Sequence, residues 1–348
     1  MTKESRILRA VLIGCGRMGT TIDEEVKAPT DFKDPRMAYS HAQGYSVVNT
    51  VDLVAVSDIL PEKVQRTQEK YGVPNGYSDY KKMILLEQPD IVSITTRPGT
   101  HAEIAIFSAQ NGVKGIYCEK PMACSMTEVD QMVYACQQNG VKFNYGTNRR
   151  YQPLFWRMRE LIEGGEIGDL QCVVCHCGPS SAQWGHTHMA DMMLYLALDA
   201  DVDYVQANIG ATKKDWNNLQ ISIDPSILMA YAQFENGVRG YHTVGSGYEF
   251  EAIGSKGVLR TSSSGKLIYR QFGQATQEID DIVSDRGTSN CIRDLAESIE
   301  QNIETQGGVE LAAKSQEMIF GFVDSGRQNG QCVSLPLANR QLYIGPSG

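Results

Sequence analysis

The chain has 348 residues, 42% hydrophobic and 21% charged, an ordinary globular balance that allows one to three domains. A net charge of −9 excludes a general nucleic-acid binder, which needs a basic face to neutralise phosphates. No apolar run approaches the roughly 20 residues that span a bilayer, so no membrane partner is expected.

The first strand is read at "RAVLIG" (9–14). Its apolar core, Ala10 to Ile13, is shorter than the roughly 7–15 residues of a secretory signal, so the expected location is cytoplasmic. Further strands are read at 51–58, 90–96, 113–119 and 142–148. The segments 61–72, 100–112 and 125–140 carry apolar residues at helical spacing and close on Gly72, Gly112 and Gly140, each suited to end a helix. Such alternation predicts a doubly wound parallel α/β sheet. After about residue 150 the pattern changes. Helical stretches at 153–168 and 188–199 precede strand-like runs separated by glycine-rich turns, from 202 to 272, and a last helical stretch covers 288–328. Short turns between strands predict an antiparallel sheet.

Nine cysteines, most inside apolar segments, suit reduced buried thiols better than a disulfide framework. Cys172, Cys175, His176 and Cys177 suggest zinc by composition. In an alternating strand, however, His176 points away from Cys175 and Cys177, so no metal is expected.

Directly after the first strand, Gly14, Gly16 and Gly19 form G-x-G-x-x-G, with Arg17 and Met18 between the last two. The glycines allow a tight turn, close backbone approach to a pyrophosphate, and helix–strand packing. Asp58 ends the second strand, where a carboxylate accepts ribose hydroxyls and repels a 2′-phosphate. Ile59 follows it, with no Arg or Lys in the next three residues, which favours NAD over NADP. Asp58 lies 39 residues past Gly19, against a usual distance of about 20. The excess falls near residues 20–40 and reads as an insertion, either beside the site or a plain surface excursion.

In order, GCGRMG, Asp58, TTRPGTHAEIA (95–105), CEKPMA (118–123), GTNRRYQP (146–153) and HMADMMLYL (188–196) resemble the Gfo/Idh/MocA family. EAIGSKGVL (251–259) and VSLPL (333–337) extend the likeness over nearly the whole chain. The resemblance implies an N-terminal Rossmann domain (1–147) with a doubly wound parallel sheet. A C-terminal α+β domain (148–348) follows, with a large, mainly antiparallel open sheet that often serves as an oligomer face, so a homodimer or homotetramer is expected. It implies NAD as cofactor, held by Gly14, Gly16, Arg17, Met18, Gly19, Asp58, Ile59, Thr96, Arg97, His101, Glu119, Lys120 and Asn148. Lys120 would steady an alkoxide and His188 would exchange the proton. The Lys120–Pro121 bond is a candidate cis peptide.

Two positions depart from the family pattern. Trp184 stands where the family has an aspartate four residues before the histidine, and Arg97 stands where it has proline. Trp184 offers a flat face to a sugar ring or is a packing residue. Arg97 meets an anionic substrate group or the cofactor and solvent. His186, Asp191, Asn148 and Tyr151 complete the candidate substrate residues. The implied activity is NAD-dependent oxidation of a secondary hydroxyl on a sugar, glycoside or cyclitol. A redox-neutral glycosidase, acting by oxidation, elimination, water addition and re-reduction on a glycoside, anionic or not, is the alternative. A non-catalytic NAD-binding sensor is the reading from another class.

Overall fold

The computed structural model describes residues 6–26, 35–178, 180–245, 247–262 and 265–345; residues 27–34, the middle of the insertion, lie outside them. The described residues form two compact units. The first comprises residues up to 123, 128–151 and 285–310, and the second 124–127, 152–284 and 311 onward. Read from sequence, everything after 147 falls in one domain, whereas residues 285–310 cluster with the first unit.

In the first unit, β1 (Leu8–Ile13), β2 (Val51–Ser57), β3 (Asn75–Tyr77), β4 (Ile91–Ile94), β5 (Gly115–Cys118) and β6 (Lys142–Tyr145) form one sheet. The order is β3-β2-β1-β4-β5-β6 and every pairing is parallel. Every residue of β4 and β5 is buried, as expected for parallel strands covered on both faces. The glycine loop leads into a helical run that opens in π geometry at Arg17–Thr21 and continues as α1 (Ile22–Glu25). α2 (His41–Ser46) follows the insertion, and Asp23 ties the two ends together by accepting from the Tyr39 and Ser40 N–H groups at 2.8 and 2.9 Å.

α3 (Pro61–Tyr71), α5 (His101–Gln110) and α6 (Met126–Asn139) match the helical stretches read from sequence. Gly72, Gly112 and Gly140 beyond them all have positive φ. The three-residue β3 and the helix α4 (Tyr80–Glu87) had left no readable pattern: β3 is Asn-Gly-Tyr, and α4 is only weakly amphipathic.

The second unit holds α7 (Pro153–Glu163) and α8 (Thr187–Leu196). Its strands are β7 (Leu170–Cys177), β8 (Val202–Ile209), β9 (Trp216–Asn217), β10 (Gln220–Ile221), β11 (Ile227–Phe234), β12 (Arg239–Val244), β13 (Tyr248–Gly254), β14 (Gly257–Thr261), β15 (Leu267–Gln271), β16 (Gln277–Ile279), β17 (Val333–Ser334) and β18 (Tyr343–Ile344). Nine of them form a sheet ordered β16-β15-β14-β13-β7-β12-β11-β8-β17. It is antiparallel apart from the β7–β12 pair. Burial alternates along β7 and β8, so one face is packed and the other open. Cys175 and Cys177 fall on the packed face, while His176 faces the other way and pairs with Glu251 at 3.2 Å.

The strand expected over 219–224 shrinks to β10, because Asp224 turns its carboxylate to the 183–184 backbone and Pro225 has no N–H. The final helical stretch divides at Asn302 (φ 53°) into α9 (Thr288–Gln301) and α10 (Val309–Arg327). α9 packs in the first unit against α2, β5 and β6. Its seat has a glycine floor: a Cβ at Gly44 or Gly115 would lie 2.7 Å from Cδ1 of Ile292 or Ile299.

Candidate active site

Because all six strands of the first sheet run the same way, the loops that follow them gather at one edge. Gly14 leaves β1, Asp58 leaves β2, Thr96 and Arg97 leave β4, Glu119 and Lys120 leave β5, and Asn148 lies just past β6. The strand order reverses at β1, which lies between β2 and β4, and ligands of open α/β sheets bind at such a point. Lys120 lies two strands from it, about 10 Å across the sheet.

The three glycines of the loop meet different constraints. Gly14 has φ +98°, and a Cβ there would lie 2.8 Å from the Thr95 carbonyl. At Gly19 a Cβ would come within 2.2 Å of the Gly14 oxygen. A Cβ on Gly16 would meet nothing within 4 Å, so that side of the loop is open to a ligand. Thr95 donates to the Gly14 oxygen at 2.6 Å and pins the loop to β4. Asp58 accepts from the Cys15 N–H at 2.8 Å and the Leu60 N–H at 3.0 Å, so the carboxylate and the loop hold each other. Ile59 beside it is exposed. An open backbone cradle with a carboxylate at the neighbouring strand end fits the diphosphate and ribose of NAD. Arg17 is half-exposed and forms a 2.6 Å ion pair with Glu25, and Met18 is partly buried next to it.

The Lys120–Pro121 peptide is cis. Lys120 is partly buried, and its N–H donates to Glu119 Oε2 at 3.2 Å. Glu119 is 3% exposed, and its Oε1 is 3.1 Å from His41 Nε2. Arg97 is exposed just ahead of the short turn Pro98–Thr100. Thr96 accepts at its hydroxyl from Thr100.

In the second unit the turn 182–186 leads into α8. Asp224 accepts from the N–H groups of Gln183 and Trp184 at 2.8 and 2.9 Å, and Gln316 donates to the Gln183 side chain at 2.8 Å. This grip holds Trp184 45% exposed on a fixed backbone. His188, in the first turn of α8, is partly buried, with the Tyr248 ring edge-on at 6.3 Å.

Several residues expected to touch ligand lie in the interior instead. His101 is fully buried, with Nδ1 2.9 Å from the Pro121 oxygen and Nε2 3.1 Å from the Thr96 oxygen; burial pulls its pKa down, and a neutral ring donates its one N–H to one of these two carbonyls. Asn148 accepts from Tyr117 and donates to Thr288, which uses both ends of its amide. Tyr151 is buried and donates to Asn144. Asp191 is buried, like every residue of α8 except His188.

His186 is wholly buried, edge-to-face with His242 at 4.6 Å. Burial, reinforced by the neighbouring ring, lowers its pKa to about 4, and burial does the same to His242. None of their four ring nitrogens has a well-formed hydrogen bond, although the Ile227 and Ser180 backbone is near enough to His186 to oppose the shift in part.

Sequence reasoning missed His41, Ser93 and Asp224. Each acts through contacts 40 or more residues away in the chain, which leave no local spacing to read. The one local hint for His41 is that it directly follows Ser40, whose hydroxyl caps α2 by accepting from the Gln43 N–H.

Residues 8–147 match the family model described as "Oxidoreductase family, NAD-binding Rossmann fold" (GFO_IDH_MocA). The chain is 29% identical over 161 residues to the myo-inositol 2-dehydrogenase of Thermotoga maritima, covering 46% of this chain and 42% of that protein. It thus spans less than half the length of that relative. It is 24% identical over 259 residues to the D-glucoside 3-dehydrogenase of Escherichia coli K12, covering 66% and 68%. Levoglucosan dehydrogenase, solved in complex with NADH and L-sorbose, has the same fold, with a TM-score of 0.78 at 18% identity over 95% of this chain and 99% of that one. The family match extends over β1 to β6, the glycine loop and the Glu-Lys-Pro turn, so residues 8–147 are similar to the NAD-binding Rossmann fold of the Gfo/Idh/MocA oxidoreductases.

Proposed function

We propose that this protein oxidises a secondary hydroxyl of a sugar, glycoside or cyclitol. NAD supplies the hydride acceptor when bound at the glycine loop. The Lys120 ammonium stabilises the negative charge that develops on the substrate oxygen, and His188 takes the O–H proton. The carbon–hydrogen bond breaks with its electron pair, and a ketone is left. A neutral imidazole suits the proton step because its ordinary pKa, about 6.5, lies close to neutrality. Trp184 is the stacking face for the ring, held in place by Asp224.

The observation that carries this reading is the position of Lys120. It follows β5 at the edge where the glycine loop and Asp58 also emerge, on a turn whose neighbouring carboxylate is buried. The inositol, glucoside and levoglucosan dehydrogenases among the similar proteins support a sugar or cyclitol substrate. The redox-neutral glycosidase reading is less supported, because His186, its candidate second acid/base, is wholly buried.

The test supplies NAD+ with myo-inositol, methyl glucosides and aryl glycosides and follows NADH and released aglycone. NADH accumulating with wild type, and lost in Lys120→Met while NAD+ affinity stays within about threefold, is the expected result. Turnover by Lys120→Met at the wild-type rate overturns the role of Lys120, and aglycone release without NADH favours the glycosidase.

A further inference from the structure

The Glu119 carboxylate, one residue before Lys120, is buried beneath the turn. Burying an ionised carboxylate is costly unless both oxygens are satisfied. One oxygen accepts from the Lys120 N–H, and the other faces His41 Nε2. The His41 ring is itself fully buried and stacks on Tyr117, with 3.8 Å between centroids and 20° between planes. Its Nδ1 is 3.0 Å from Ser93 Oγ, which is 2.8 Å from the Tyr45 hydroxyl.

One order of protons satisfies every member of this row. Tyr45 O–H donates to Ser93, Ser93 O–H donates to His41 Nδ1, and His41 Nε2–H donates to Glu119. The imidazole is then neutral with its proton on Nε2, and the carboxylate is ionised. Gly146, after β6, makes room for the arrangement, since a Cβ there would lie 2.9 Å from the Glu119 carboxyl carbon and Oε2. On the other side of Lys120, His101 engages the Pro121 oxygen. The turn is therefore gripped on both sides of the lysine by buried imidazoles.

We propose that His41 is a positioning residue. Oriented by Ser93 and Tyr45, it fixes the Glu119 carboxylate, and through the Lys120 N–H it sets the point from which the lysine side chain reaches its substrate. The proposal rests on the reading of Lys120 given above. It assigns His41 no contact with substrate or cofactor.

The experiment compares wild type with His41→Leu, His41→Gln and Ser93→Ala. Leucine removes the donor to Glu119, whereas the glutamine amide restores one. With a substrate that wild type oxidises, His41→Leu lowers kcat by about 10²-fold, the scale of a misplacement near 1 Å. KM and the calorimetric Kd for NAD+ stay within about threefold, and His41→Gln regains at least about tenfold in kcat. In a spectrum of 15N-histidine-labelled wild type, the resonance missing from His41→Gln shows a protonated Nε2 and a bare Nδ1. In Ser93→Ala the two tautomers mix.

Wild-type kcat in a folded His41→Leu overturns the proposal, as does an equal loss in the leucine and glutamine variants. If His41→Leu does not fold, the tautomer decides: a His41 protonated on Nδ1, or unchanged in Ser93→Ala, overturns it. Activity in Lys120→Met defeats the reading of the lysine. An inactive Lys120→Met beside a fully active His41→Leu defeats only the role of His41.

Discussion

Gly16 and Gly19 are the same residue type three positions apart, and the loop uses them in opposite ways. At Gly19 a methyl group would strike backbone at 2.2 Å, so alanine there distorts the turn. At Gly16 φ is −87° and a methyl group meets only open space, so the protein itself accepts it. Gly16→Ala should therefore melt as wild type does but bind NAD+ at least about tenfold more weakly, a loss of about 1.4 kcal/mol, because the methyl group fills the space a pyrophosphate needs. Gly19→Ala should lose stability as well as binding. Thermal melts beside calorimetry separate the two. An unchanged Kd in Gly16→Ala would mean that the diphosphate does not approach that face.

Along α8 and β12 the His186–His242 pair gives an element-scale expectation. Burial holds both folded-state pKa values near 4, while an unfolded chain titrates its histidines near 6.5. Between these values the unfolded state binds protons that the folded state refuses. Stability therefore falls as the pH drops from about 6.5 toward about 4, and the pair adds no such loss above about 6.5. Urea midpoints measured across that window should move less with pH in the double variant His186→Asn/His242→Gln than in wild type. Residue 186 is the N-cap of α8, a position that asparagine favours. Equal slopes would assign the acid sensitivity to other groups.

At the scale of the whole chain, α9 shows why the first unit is not a continuous stretch of sequence. Ile292 and Leu295 are fully buried, and each such side chain contributes about 1.5–3 kcal/mol. Asn144 donates to the Cys291 oxygen, Asn148 to Thr288, and Thr305 to the Phe143 oxygen. A fragment ending at residue 151 loses all of these at once. It should show no cooperative urea transition by circular dichroism, and joining residues 285–310 back to it should restore one. A sharp transition in the shorter fragment would show that α9 is dispensable.

The sequence by itself determined the parts governed by local rules. Strand–helix alternation, helix-ending glycines with positive φ, the G-x-G-x-x-G turn and Asp58 at a strand end depend on residues close together in the chain, so spacing revealed them. The same logic failed for β3 and α4, whose short or weakly amphipathic segments carry little periodicity. Tertiary structure alone decided which polar residues stay at the surface. Asn148 and His101 have side chains suited to a ligand but face Tyr117, Thr288 and Pro121 in the interior, while Tyr151 turns to Asn144 and His186 packs against His242. His41 and Glu119 meet across 78 residues of sequence, and Asp224 reaches back 40 residues to Trp184. Buried polar groups must find hydrogen-bond partners wherever the fold supplies them, and no pattern along the chain encodes a pairing of that range.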